Sequence, residues 1–193
     1  MVKSRRWNME QRAARIILIT GPKHAGKSAV GQALARLSGG VFTDLDELVE
    51  QKTGKTPRAL FKEGPELFRK AEARALAAAV RKVPPCTEGG RRIIAAGGGL
   101  IDNAGAERLL KRIPDIVSVY IDVSPDTAWR RILAGAAGGE LPPFLNTENP
   151  WQTHLEIHTR RAAEYRAMAR IIIDGENKTP QDIAAEIMAS LPW

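Results

Sequence analysis

The chain has 193 residues, 44% of them hydrophobic and 26% charged, with one cysteine and a formal net charge of +7. That length supports one domain with a core of its own. Cys86 alone can form no internal disulfide, and no Cys or His pair has zinc-ligand spacing, so a reducing compartment is expected. No apolar run approaches the ~20 residues of a membrane span, and Ile16–Ile19 is too short for the core of a secretory signal. A soluble, cytoplasmic protein without a membrane partner is the expectation.

The first element in chain order is a basic arm, residues 1–15, where Lys3, Arg5, Arg6, Arg12 and Arg15 stand against Glu10 alone. It reads as a solvated, flexible start. The rest of the chain has only a mild positive excess, which suits a cleft for phosphates or carboxylates better than a nucleic-acid surface. Ile16–Thr20 follows as a buried strand and ends directly before Gly21-Pro22-Lys23-His24-Ala25-Gly26-Lys27-Ser28. This is G-x-x-x-x-G-K-[ST], the phosphate-binding loop, whose backbone N–H groups converge on phosphate oxygens. Lys27 would reach the β- and γ-phosphates and the Ser28 hydroxyl would bind magnesium. Lys23 and His24 read as solvated loop-tip side chains, with Lys23 adding positive field at the phosphates.

The helix Ser28–Leu37 aims its N-terminal dipole at the same anion. A second strand, Val41–Thr43, is closed by Asp44 and Asp46, which are expected to project to one side at the strand's end. One carboxylate could hold magnesium through water and the other a substrate hydroxyl. Helix capping is the plainer role for either. A helix over Asp46–Gln51 and a longer one over Glu66–Lys82 come next. In the latter, Glu72 lies three residues after Arg69 and could orient its guanidinium toward a substrate carboxylate or phosphate, or the two could form a surface ion pair. Lys82–Arg91 is a loop rich in Pro and Gly. The strand Arg92–Ala96 leads into Gly97-Gly98-Gly99, which allows close backbone approach by a ligand or makes a plain loop.

Helix Ala104–Arg112, strand Ile116–Ile121, helix Pro125–Leu133, helix Trp151–Ala169, strand Arg170–Ile173 and helix Pro180–Leu191 complete the chain. Ala134–Pro150, with three glycines and three prolines, is the long loop expected of a functional lid. Apolar strands alternating with helices argue for a parallel sheet covered on both faces.

Taken together, the phosphate loop, Asp44-x-Asp46, Phe68-Arg69 with Glu72, the Gly97–Gly99 triplet and Arg161-x-x-x-Tyr165 resemble the shikimate kinase family, from about Ile16 to the C-terminus. The resemblance implies an α/β, three-layer P-loop kinase fold with a five-stranded parallel sheet in the order 2-3-1-4-5. It implies a substrate-binding region at about 44–82 and a lid at about 134–150. It also implies transfer of the ATP γ-phosphate to the 3-hydroxyl of shikimate in aromatic amino-acid biosynthesis, by a monomer that needs Mg2+. ATP would be held by Gly21, Lys23, Ala25, Gly26, Lys27, Ser28, Arg131 (stacked on adenine) and Lys178, and the metal by Ser28 and, through water, Asp44. The acceptor would meet Asp46, Arg69, Glu72, Gly97, Gly98, Gly99 and Arg161, with Lys27, Asp46 and Arg69 as the catalytic set.

One departure stands out. The lid arginine of the family is replaced by Pro142, and no Lys or Arg lies between Arg131 and Arg160. His158 and Arg160 are the nearest cations by sequence, and His154 and His158 share a helical face. Two other readings remain open: a related kinase for another hydroxy acid or polyol, and a non-catalytic module that senses shikimate-like ligands.

Overall fold

In the computed structural model, residues 16–81, 91–113, 115–136 and 140–191 are described. The basic arm, residues 82–90 of the Pro- and Gly-rich loop, and residues 137–139 of the lid lie outside them. Strands β1 (Ile16–Thr20), β2 (Val41–Asp44), β3 (Arg92–Ala95), β4 (Ile116–Asp122) and β5 (Ile171–Asp174) form one sheet in the order β2-β3-β1-β4-β5. Every pairing is parallel; Ile16 stands opposite Arg92 on one side and Ile116 on the other.

The fully buried β1 lies at the centre because both of its faces are covered. Ile17 and Ile19 join one core cluster, while Ile16 and Leu18 join the other, following the two-residue period of a strand. The first cluster packs α1 (Lys27–Ser38) and α8 (Pro180–Ser190) through Val30, Leu34, Ile183 and Ile187. The second packs α2 (Leu45–Thr53), α3 (Pro57–Glu63), α4 (Pro65–Arg81) and α5 (Ala104–Leu110) through Leu45, Val49, Leu60, Leu76 and Ala106. Truncating a fully buried leucine such as Leu76 to alanine costs about 2–5 kcal/mol. Tyr120 of β4 stacks on Tyr165 of α7 (Pro150–Met168), with ring centroids 5.6 Å apart, beside α6 (Pro125–Gly135).

Two features differ from the sequence expectation. Residues 57–63 form a separate short helix, started by Thr56, whose hydroxyl accepts the Ala59 N–H, and by Pro57. The second strand also runs through Asp44, so Asp46 belongs to the first turn of α2 and not to the strand's end. The other boundaries move by at most two residues. Among the described residues, no helix is long and apolar enough to cross a membrane.

Candidate active site

The loop after β1 is shaped by two left-handed residues, His24 (φ 59°) and Gly26 (φ 88°), and α1 begins at Lys27. Its N-terminus has no side-chain cap and no acidic residue in the first turn, so its N–H donors are left for an anion. Lys27 is 9% exposed, and its Nζ donates to the Pro22 carbonyl at 2.7 Å. Burial pushes its pKa down to about 8 against the pull of Asp46, and Lys23 pushes it further in the same direction. Ala25 is buried and closes the turn with its N–H on the Pro22 carbonyl. Gly21 lies against the Ile121 carbonyl at the end of β4.

Asp44 has two jobs. Its Oδ1 caps α2 by accepting the N–H groups of Asp46 (2.9 Å) and Glu47 (3.3 Å), while Oδ2 accepts the Ser28 hydroxyl at 2.5 Å. The capping role and a contact with Ser28 therefore coexist. Asp46 points its Oδ1 into a buried space with no hydrogen-bond partner among the described residues. Burial, and then the neighbouring Asp44, raise its pKa.

Glu72 is 1% exposed and does not orient Arg69. Its Oε2 accepts the Asn103 amide at 2.8 Å, Oε1 has no partner among the described residues, and burial pushes its pKa up to about 7. Arg69 pairs instead with Glu66, at 2.5 Å on the solvent side. The cause is burial: Glu66 and Glu72 are both three residues from Arg69, and the guanidinium stays in water.

The glycine triplet makes room for the chain's own groups. A Cβ at Gly97 would stand 3.0 Å from both Asp46 Oδ1 and Glu72 Oε1. One at Gly98 would be 2.9 Å from the Lys23 backbone nitrogen, and one at Gly99 3.2 Å from Arg161 Nη2. Arg161 donates through Nε (3.0 Å) and Nη2 (2.6 Å) to Asp102 Oδ2 and through Nη1 to the Gly98 carbonyl (3.2 Å), and the Phe144 ring lies 5.6 Å from its guanidinium carbon. Three of its five N–H donors are thus used, and two remain for a ligand.

Lys23, Gly26, Lys27, Ser28, Asp44, Asp46, Gly98, Gly99 and Arg161 line one pocket with Phe61, Phe68 and Phe144. No motif points to Asp102, which is 59 residues from Arg161. Asn103 could have been found from its place as the cap of α5, where its side chain accepts the N–H groups of Gly105 and Ala106.

The profile described as Shikimate kinase matches residues 23–192. The chain belongs to the shikimate kinase family. It is 32% identical over 176 residues to a shikimate kinase of Symbiobacterium thermophilum, covering 91% of this chain and 95% of that protein. It is also 32% identical over 177 residues to one of Corynebacterium efficiens, covering 91% and 96%. A solved shikimate kinase of Acinetobacter baumannii, in complex with shikimate, superposes with a TM-score of 0.77 at 29% identity, covering 94% of each chain. Family membership makes the protein a phosphotransferase with an alcohol acceptor.

In this shikimate kinase family member, the lid segment bearing Pro142 continues into a 3-10 turn, Pro143–Leu145, that brings Phe144 into the pocket. The cations flanking the lid are engaged elsewhere. Arg160 pairs with Asp102 (2.8 Å) and Glu164 (3.0 Å). His154 donates Nε2–H to the Pro125 carbonyl at 2.9 Å, and burial lowers the pKa of both His154 and His158, which therefore bring no charge at neutral pH. Arg131 lies over the phosphate loop, 3.5 Å from the carbonyls of His24 and Gly175. Lys178 turns to Glu186 of α8 at 2.8 Å.

Proposed function

We propose that the protein transfers the γ-phosphate of ATP to the 3-hydroxyl of shikimate, giving shikimate 3-phosphate. The observation that carries this is the single pocket in which an anion-binding helix start, an unpartnered carboxylate and a part-used arginine stand side by side. Phosphoryl transfer requires little covalent chemistry from a protein; it requires position and charge. Lys27 and the loop N–H groups hold the phosphates, and Arg131 bounds the side where the base lies.

Ser28 Oγ and Asp44 Oδ2 offer the hard oxygens that suit magnesium, which takes one or two protein ligands beside phosphate and, when bound, neutralises phosphate charge. Arg161 anchors the acceptor carboxylate with its two remaining donors. Asp46 Oδ1 accepts the hydrogen bond of the attacking hydroxyl and then its proton, as a new phosphorus–oxygen bond forms and the bond to the ADP oxygen breaks. Its raised pKa makes it the stronger base for that step.

A second reading, a kinase for another hydroxy acid or polyol, is favoured by the lid segment, where Pro142 stands in place of a charged residue and Phe144 lines the pocket. The test is steady-state ADP release from Mg·ATP by wild type and Asp46→Asn. Asp46→Asn is expected to lower kcat by ~10²–10⁴-fold and to leave ADP affinity within twofold. Near-wild-type turnover would remove Asp46 from the role.

A further inference from the structure

Charge that develops on a transferring phosphoryl group is stabilised by a cation that the protein's own acids have not neutralised. The cations lining the pocket are Lys23, Lys27 and Arg161. Arg161 is bound by Asp102 through two N–H groups, and Lys27 lies in the field of Asp46 and Asp44 with its Nζ on a carbonyl. His24, whose pKa is lowered by burial and by both lysines, stays neutral. Lys23 differs from the other two. It is exposed, and among the described residues its side chain has no hydrogen bond or ion pair.

Its root is nevertheless fixed. A Cβ at Gly98 would lie 2.9 Å from the Lys23 nitrogen and 3.3 Å from its Cα, so Lys23 is seated on the glycine triplet. That seat is the seam between the phosphate loop and the acceptor side of the pocket.

We propose that the Lys23 ammonium is a catalytic cation that contacts the transferring phosphoryl group, in place of the charge that the Pro142 lid lacks. The kinase reading above is its premise. The four-carbon stem lets the ammonium follow the phosphoryl group, as a point charge in three donors, without the planar fork of an arginine.

The test uses the full chain with Lys23→Met, which keeps the stem, and Lys23→Arg. Steady-state rates with Mg·ATP and shikimate are read beside calorimetric affinities for ADP and for β,γ-imido-ATP, which retains a γ-phosphate. Lys23→Met is expected to lower kcat by ~10²-fold. It should weaken the imido analogue by about five- to tenfold and leave ADP unchanged, with Lys23→Arg recovering most of each loss. The proposal is overturned if kcat stays within threefold, or if ADP and the analogue weaken equally, which would mark a distorted loop. A raised shikimate KM at unchanged kcat would also overturn it, by giving Lys23 to the acceptor carboxylate. Wild-type protein that does not phosphorylate shikimate would sink the substrate reading, and the ADP-against-analogue comparison would still decide Lys23.

Discussion

Two carboxyl groups share the space that Gly97 leaves open, and both have a buried oxygen without a partner among the described residues. Asp46 is also a pocket-lining residue, and a carboxylate oxygen without a partner suits a hydroxyl. For Glu72 the consequence is a pH dependence of stability. Its folded pKa of about 7 lies above the ordinary carboxyl value of 4.5. The folded state therefore holds the proton more tightly, and stability present below pH 4.5 is lost as the pH rises toward 7 and beyond. At the linkage scale of 1.36 kcal/mol per pH unit, the loss is at most about 3 kcal/mol. Glu72→Gln keeps an oxygen for Asn103 and has nothing to ionise. In ligand-free urea melts it should match wild type near pH 4.5 and exceed it by about 1–3 kcal/mol at pH 8; equal stability at both would contradict this origin. The turn that sets Lys27 and Ser28 at the start of α1 is legible from spacing because a phosphate loop is local. The partner of Arg69 is not, since Glu66 and Glu72 have the same spacing and only tertiary burial chooses between them.

Among the elements, the lid was read as loop from its glycines and prolines, which is correct for composition but silent on what holds it. Arg58 of the short helix α3 donates Nη2–H groups to Glu140 Oε2 (2.5 Å) and to the Leu141 carbonyl (3.0 Å), 82 and 83 residues away in sequence. The seven residues of α3 give too little apolar period to mark a helix, although Thr56-Pro57 is a start signal. Arg58→Ala should speed amide hydrogen exchange several-fold at residues 140–147, where Leu145 N–H donates to the Pro142 carbonyl. Global stability should change by no more than about 1 kcal/mol, because the pair is exposed. Unchanged protection would show that the lid is held by Phe144 and Leu145 packing instead. The α2 start has a related lesson: a carboxylate at a strand's end can cap the next helix and keep its second oxygen for the site.

Across the whole molecule, apolar strands alternating with helices were enough to expect a covered parallel sheet, and the burial of both faces of β1 bears this out. The strand order came from the resemblance, because apolar runs do not say which strands are neighbours. That order sets the carboxyl ends of β1, β2 and β3 side by side, so Lys27, Asp46 and the glycine triplet, distant in sequence, line one crevice. The central claim is that this crevice joins a nucleotide's phosphate to the hydroxyl of a small carboxylate-bearing acceptor. The most direct measurement is the initial rate of ADP release from Mg·ATP over a panel of hydroxylated acids and polyols, with shikimate and quinate included and the phosphorylated product identified by mass. Shikimate should raise ADP release at least ~10²-fold over the acceptor-free rate and yield one equivalent of monophosphate, with a neutral polyol far behind. A polyol that outpaces shikimate, or ADP release indifferent to every acceptor, would contradict the account.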